Sequence, residues 1–351
     1  MRVTELGAGL KRLAVGAAVA LAAAIGASTG AAAKTELLVY TAVEADELAG
    51  FKQAFEKDNP DIEIKWVRDS TGIITSKLLA EKANPQADVV WGLAGTSLMV
   101  LTEQGYFQPY APKGLDKLDA GFRDKANPPM WVGQRAYAAA VCFNTAEAGK
   151  KSLPAPATWR DLTKPVYKGA ITMPNPNSSG TGFLMVSSWL QLMGEAEGWK
   201  FMDQLHENVA WYTHSGSKPC RQSGAGEVPI GISFDYRAAK TKSDGAPVDV
   251  VLPKEGLGWE IEAFGIVKGT KKLDAARKFA DWSLMPAVME NLYTKGYALI
   301  ALPGAAKPIA NLPADLPKML AKNDFAWAAK NRERILDEWR KRYDAKSEPK
   351  S

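Results

Sequence analysis

The chain has 351 residues, 46% of them hydrophobic and 24% charged, and its formal net charge is +5. This composition is that of a globular protein. The sequence has no stripe of Lys and Arg of the kind that would indicate a nucleic-acid partner. The only histidines are His206 and His214, and no Cys/His cluster is present. We therefore expect no zinc or other transition-metal site and no cofactor.

The first 33 residues have the order of a secretory signal peptide. Lys11 and Arg12 precede an apolar run from Leu13 to Ala27, and the small residues Ala31–Ala33 follow. The alternative is a membrane anchor, but the run has about 15 residues and a membrane span needs roughly 20. We therefore expect cleavage after Ala33 and export to the periplasm.

Removal of this leader lowers the net charge to about +3 and leaves about 318 residues, which is too long for one ordinary core and suits two lobes. The first predicted elements, in chain order, are strands at 36–41, 62–67 and 88–91 with helices at 46–58 and from Ser70–Gly72 onward. Strands that alternate with helices predict a parallel, doubly wound sheet with helices on both faces.

The same pattern restarts in the middle of the chain. It predicts strands at 170–173, 209–213, 229–234 and 248–252 and a helix at 183–192. We therefore expect an α/β fold with a signal peptide at 1–33, the first part of lobe 1 at 34–139, lobe 2 at 140–258, and a return to lobe 1 with C-terminal helices at 259–351. The return begins with the strand Trp259–Val267, continues through helices around 271–296 and ends with an amphipathic tail helix at 324–343.

Two cysteines, Cys142 and Cys220, would meet an oxidising compartment after export. A disulfide between them is therefore allowed, and two buried free thiols are the alternative.

Ligands of doubly wound sheets bind beyond the carboxyl ends of the strands, where helix N-termini offer free amide groups. This rule selects the loops 41–45, 69–73, 92–97 and 174–182. In the last loop, Ser178, Ser179, Gly180 and Thr181 combine hydroxyl groups with glycine at a helix start, which suits phosphate, phosphonate, sulfate or carboxylate. An ordinary helix cap is the alternative.

The pair Ser70-Thr71 presents the same choice between anion binding and helix capping. A further candidate set runs from Thr213 to Pro219, where Ser217 is a plausible cap and His214 and Ser215 are candidate ligand contacts. A structural role is the alternative for His214. Two hydroxyl-rich loops, one in each lobe, favour an anion held between the lobes.

An enzyme is a remote alternative. The sequence lacks a Gly-x-Ser-x-Gly elbow, a Walker loop and a Gly-x-Gly-x-x-Gly motif after a strand, and neither histidine lies in a nucleophile–base motif.

Several stretches resemble the 2-aminoethylphosphonate-binding proteins of ABC transporters. They are Val39–Glu44, Trp66–Ile74, Asp88–Gly92, Asn175–Gly182, His214–Cys220 and Pro253–Trp259. The likeness covers nearly the whole mature chain, and more broadly the chain is similar to the type II periplasmic binding proteins that include ferric-ion binders. It implies two doubly wound sheets joined by a hinge, closure of the hinge on the ligand, and delivery to a membrane permease. We expect a monomer.

A zwitterionic ligand of this kind needs groups of both charges. The serines, threonines and glycine above would bind the phosphonate, and candidate acceptors for the ammonium group are Glu44, Asp235, Glu260 and Glu262, with Glu262 preferred. Aromatic candidates for lining the cleft, with core packing as the alternative, are Tyr40, Trp91, Tyr236 and Trp259.

Other ligands of the same fold remain as alternatives. Ferric-ion binders hold iron with adjacent tyrosines, whereas Asp235 precedes Tyr236 here, so the iron cage is incomplete. A polyamine or thiamine binder would need an acidic, aromatic cleft without paired hydroxyl-glycine loops.

Overall fold

The computed structural model describes residues 33–293, 299–301 and 308–349. The predicted signal peptide therefore lies, apart from its last residue, outside the described residues. The described residues from Thr35 onward form one compact unit. Within the described ranges, no helix is long and apolar enough to cross a membrane.

The strands of the described residues are β1 (Thr35–Thr41), β2 (Ile62–Arg68), β3 (Val89–Ala94), β4 (Phe107–Gln108), β5 (Val132–Asn144), β6 (Ile171–Pro174), β7 (Val209–Thr213), β8 (Ile230–Phe234), β9 (Val248–Val251), β10 (Trp259–Val267) and β11 (Leu299–Ile300). The helices are α1 (Ala45–Asp58), α2 (Thr71–Ala80), α3 (Gly95–Glu103), α4 (Thr145–Lys150), α5 (Gly180–Met193), α6 (Glu195–Asn208), α7 (Lys218–Gly224), α8 (Asp235–Ser243), α9 (Leu273–Ser283), α10 (Pro286–Val288), α11 (Leu316–Met319), α12 (Phe325–Lys330) and α13 (Arg332–Tyr343).

The first sheet has the order β2-β1-β3-β10-β5. β1 pairs in parallel with β2 and β3, as predicted, but β10 runs antiparallel to both β3 and β5. The sheet is therefore mixed rather than parallel, because the returning strand enters from the end at which the other lobe lies.

The second sheet has the order β5-β8-β6-β7, with β9 on the other side of β5. β5 belongs to both sheets: residues up to Ala138 pair with β10, and residues from Ala139 pair with β8. This crossing strand divides the molecule into lobe 1, built on the first sheet, and lobe 2, built on the second. The predicted two-lobed α/β fold is confirmed.

Local sequence explains the helices that border the ligand loops. α1 buries Phe51 and Phe55 at helical spacing against lobe 1, and the chain leaves the helix at Asn59, before Pro60. α5 begins at Gly180, three residues before the predicted helix, because the Ser179 hydroxyl accepts the Gly182 amide as a cap.

The tail helix is interrupted at Asn331, so α12 and α13 are separate. Ile335, Trp339 and Tyr343 of α13 join the core of lobe 2, where the Trp339 ring packs on Tyr212 with centroids 4.8 Å apart. Unlike β10 and α9, the end of the chain is therefore part of lobe 2.

Cys142 on β5 and Cys220 on α7 form a disulfide with their Cα atoms 5.3 Å apart, and both residues are buried. The bond joins positions 78 residues apart. It ties the start of lobe 2 to the helix that follows the loop after β7.

Thiol labelling of the unfolded, unreduced protein should find no free thiol, and two should react after reduction. In the chain-entropy account, reduction should lower the free energy of unfolding by about 4.5 kcal/mol for a loop of this length. Denaturant unfolding with and without reductant measures this difference. Two reactive thiols before reduction would contradict the bridge.

Candidate functional site

A cavity lies between the lobes, at the carboxyl ends of the parallel strands. Its lining residues are Ala42, Glu44, Arg68, Ser70, Thr71, Gly92, Ala94 and Glu262 from lobe 1, Tyr137 from the crossing strand, and Ser179, Gly180, Thr181, Ser215, Gly216, Phe234 and Tyr236 from lobe 2. Each of the four loops selected by the strand-end rule contributes to this lining.

On the lobe 1 side, the cavity is lined by hydroxyl groups and one cation. Ser70 occupies the N-cap position of α2, yet its side chain makes no capping hydrogen bond. The Arg68 side chain donates through Nε to the Val43 carbonyl at 3.2 Å. Within the described ranges no carboxylate pairs with Arg68, so its terminal nitrogens are free to bind an anion.

On the lobe 2 side, Ser179 caps α5 by accepting the Gly182 amide at 3.3 Å. Its hydroxyl proton remains available for a ligand oxygen. A Cβ atom on Gly216 would overlap the Thr181 hydroxyl, so glycine allows the two loops to meet. The helix start here is therefore both a cap and a source of donors.

Two predicted ligand residues hold the loops instead of lining the cavity. The Ser178 hydroxyl donates to the His214 carbonyl at 2.8 Å, and the Ser178 carbonyl accepts the Gly72 amide of lobe 1 at 2.8 Å. His214 Nε2 lies 2.7 Å from Asp69 Oδ1, which is a second contact between the lobes. Neither side chain is among the lining residues.

Glu44 lines the cavity but is engaged by lobe 2. Its Oε2 accepts from Ser217 at 2.9 Å, from Arg221 at 2.9 Å and from Arg237 at 3.0 Å. Ser217 therefore does not cap α7. Since Asp46 also pairs with both arginines, this cluster has two carboxylates, two guanidinium groups and no excess charge.

Glu262 belongs to a second cluster, in which the charges do not balance. Arg135 donates through Nε to Glu262 and through Nη1 and Nη2 to both oxygens of Glu47, at 2.8 and 2.9 Å. The Tyr236 hydroxyl donates to Glu262 at 3.1 Å. Arg135 is the only cation that pairs with either glutamate in the described part of the chain, so one negative charge is left over.

This imbalance affects the Glu262 carboxyl. Burial raises the pKa of Glu262, the Arg135 guanidinium opposes that shift, and the nearby Glu47 carboxylate adds to it. The buried Glu262 carboxylate thus already has a charged partner within the protein, Arg135.

The other two acidic candidates do not line the cavity. Asp235 Oδ1 accepts the Ala138 amide at 3.0 Å, and burial raises the pKa of Asp235 to about 7. Glu260 accepts from the Thr96 hydroxyl at 2.6 Å, and burial raises the pKa of Glu260 to about 7. Asp235 therefore holds the crossing strand, and Glu260 holds the first turn of α3.

Of the four aromatic candidates, Tyr236 lines the cavity. The other three are packed elsewhere. Tyr40 lies in a lobe 1 core and donates to Glu81, the Trp91 indole donates to Ser283, and the Trp259 indole donates to the Ala321 carbonyl. Core packing, the alternative considered for these residues, is what the structure shows.

Sequence reasoning missed Arg68, Tyr137 and Phe234. Arg68 is the last residue of β2, immediately before the selected loop 69–73. The strand-end rule would have included Arg68 if the loop had been extended by one residue toward the strand. Tyr137 lies on β5, a strand that was not predicted. Within the described ranges, no group of three or more His, Cys, Asp or Glu residues has metal-binding geometry.

Comparison with known proteins identifies the class. The computed structure superimposes on the periplasmic binding protein AfuA of Actinobacillus pleuropneumoniae, solved with fructose-6-phosphate, at a TM-score of 0.82 and 30% identity, covering 89% of this chain and 99% of that one. A probable ABC transporter periplasmic-binding protein of Sinorhizobium fredii, y4fP, is 28% identical over 76% of this chain and 75% of its own length. Iron-bound HitA of Pseudomonas aeruginosa shares the fold, at a TM-score of 0.73 and 19% identity, covering 87% of this chain and 99% of that one.

The fold and the inter-lobe cavity define a solute-binding protein and not an enzyme. A family model for bacterial extracellular solute-binding proteins matches residues 84–332, which is more than half of the chain. The chain belongs to this family.

Replacing Arg68 by Met should weaken binding of a small phosphate- or phosphonate-bearing ligand. The loss of a charge-assisted hydrogen bond predicts about 1.5–3 kcal/mol, or roughly ten- to a hundredfold in Kd. Isothermal titration calorimetry measures the change. The matched control is Arg160→Met, which removes an exposed arginine remote from the cavity lining. Equal affinities of the Arg68 and Arg160 variants would contradict the anion role.

Proposed function

We propose that this protein is the periplasmic solute-binding component of an ABC importer and that it binds 2-aminoethylphosphonate between its lobes. The observation that carries the proposal is the polarity of the cavity. Its wall contains Arg68, which pairs with no carboxylate of the residues that the structure describes, and Glu262, whose cluster in the same ranges has one carboxylate more than it has cations. A zwitterion complements both.

The phosphonate would bind among Arg68, Ser70, Thr71, Ser179 and Thr181. These residues belong to both lobes and line one cavity. Phosphonate oxygens accept several hydrogen bonds at once, and the amide groups at the start of α5, including that of Gly180, add donors near the positive end of the helix dipole. This combination suits a compact tetrahedral anion.

The ammonium group would bind at Glu262. That carboxylate already accepts from Arg135 and Tyr236, but two oxygens offer about four lone-pair sites, so a further donor is accommodated. The ligand's positive charge would also neutralise the excess of the Glu47–Arg135–Glu262 cluster. Tyr236 lies beside this position and covers it from lobe 2.

A sugar phosphate is the second candidate ligand. The observation that favours it is the likeness to AfuA, whose structure contains fructose-6-phosphate. Its phosphate would use the same hydroxyl groups and Arg68. It has no cation to offer Glu262, however, so the excess negative charge would stay uncompensated.

Delivery to a permease follows from closure of the lobes. Direct contacts already join them at Gly72–Ser178, Asp69–His214 and Glu44–Ser217. A ligand that touches both lobes adds contacts that exist only in the closed state, and it therefore shifts the population toward that state. The closed protein would be the form that the permease recognises.

Calorimetric titration of the mature protein tests the ligand. We expect 2-aminoethylphosphonate to bind more tightly than ethylphosphonate, inorganic phosphate or fructose-6-phosphate, because it alone satisfies both ends of the cavity. Tighter binding of fructose-6-phosphate would replace the first candidate by the second. A response to ferric citrate alone would overturn both.

The Glu262→Gln variant tests the amine site. It keeps the shape of the side chain and removes its charge, so the affinity for 2-aminoethylphosphonate should fall by more than about 1 kcal/mol. The affinity for ethylphosphonate should change much less, because that ligand has no ammonium group.

Thermal unfolding of the same variant checks that the pairing of Arg135 with Glu47 still supports the fold. An equal loss of affinity for both phosphonates would show that Glu262 is a structural residue. Glu44 would then be the remaining candidate for binding the ammonium group.

A further inference from the structure

We infer that the segment Asp344–Glu348, here called the C-terminal strap, is part of the binding apparatus, and that Glu348 is a positioning residue for the anion-binding loops of lobe 2. The inference rests on the proposed function, since it concerns the same cavity. It adds Glu348, a residue that does not line the cavity and is distant in sequence from the residues that do.

The strap extends the second sheet at β7, which is its outermost strand. Ser347 forms a parallel bridge with Tyr212, and the Glu348 amide donates to the Tyr212 carbonyl at 2.9 Å. Lys346 Nζ donates to the Val209 carbonyl at 2.8 Å and to that of His206. The strap is thereby fixed along the strand that leads into the loop 213–218.

The Glu348 carboxylate forms hydrogen bonds with both ends of that loop. One oxygen accepts the His214 amide and the other accepts Lys218 Nζ. Ser215 and Gly216, which lie between these two anchors, line the cavity. The Glu348 side chain is 17% exposed, whereas Lys218 is 44% exposed, so the carboxylate is the shielded partner of this pair.

The strap also contacts the start of the other anion-binding loop. Asn175 Nδ2 donates to the Ser347 hydroxyl at 2.9 Å and to Asp344 at 3.2 Å. Asn175 Oδ1 accepts the Asn177 amide at 2.8 Å, which shapes the turn that leads to Ser179. One short segment therefore orders both loops from the side opposite to the ligand.

Ordering the loops before the ligand arrives lowers the cost of binding, because less conformational freedom is lost on association. A residue that acts in this way changes affinity only through the loop it holds. The effect of a Glu348 substitution on Kd should therefore depend on whether Ser215 is present. A general loss of stability would instead leave the two effects on Kd independent.

The first experiment needs no ligand. In the mature chain, Glu348→Ala should accelerate hydrogen exchange of the His214 to Ser217 amides by about tenfold or more, since a local opening becomes easier. Glu348→Gln retains an acceptor for the His214 amide and should restore most of the protection. The control Glu338→Ala removes an exposed glutamate of α13 that pairs with Arg342, and it should leave these amides unchanged. Unchanged exchange in Glu348→Ala would overturn the inference.

The second experiment measures Kd for 2-aminoethylphosphonate, with inorganic phosphate as a second probe. Glu348→Ala should weaken binding by about tenfold, and Ser215→Ala should weaken it less in the Glu348→Ala background than in the unmodified chain. Independent, multiplicative losses would overturn the positioning role. If the unmodified protein binds neither probe, the proposed function fails, and the exchange experiment still decides the role of the strap.

Discussion

The buried guanidinium of Arg135 is the constraint on which the centre of this molecule depends. Its side chain has no exposed surface, and a charge in that position is tolerated only with carboxylate partners and filled hydrogen-bond positions. Glu47 and Glu262 provide these partners. Because the three residues lie on α1, β5 and β10, the pairing fixes the crossing strand and the returning strand against the first helix of lobe 1. Loss of one partner from such a pair costs about 3–5 kcal/mol.

The same pairing sets the charge of the cavity. Two carboxylates around one guanidinium leave the cluster with a formal excess of one negative charge, and Glu262 lines the cavity. The neighbouring cluster of Glu44 and Asp46 with two arginines is neutral and joins the lobes. In the proposed function, the first network serves recognition and the second serves closure.

Sequence patterns predicted the elements whose signals are local. The strand Trp259–Val267 and the four loops at strand ends depend on periodicity and on turn residues, and the structure contains them. β5 was missed because it is buried along its whole length and therefore shows no alternation, and because Ala136 and Ala138–Ala140 favour a helix by propensity. The partner of Glu262 lies 127 residues away, and no local pattern reports such a pairing. For the same reason sequence alone did not separate Ser179, which lines the cavity, from Ser178, which holds the loop.

In the proposed function, discrimination between a phosphonate and a phosphate monoester does not reside in the hydroxyl-rich loops, because the two ligands offer these loops nearly the same oxygens. It must reside where the two ligand classes differ, which is at the opposite wall. There Arg135 pairs with both Glu47 and Glu262, so its single positive charge does not fully offset the two carboxylates. A ligand ammonium removes that imbalance, whereas a sugar hydroxyl only donates a neutral hydrogen bond, which is weaker than a charge-assisted one. In the proposed function, the selectivity of the protein therefore depends on the same carboxylate pair that compensates the buried Arg135.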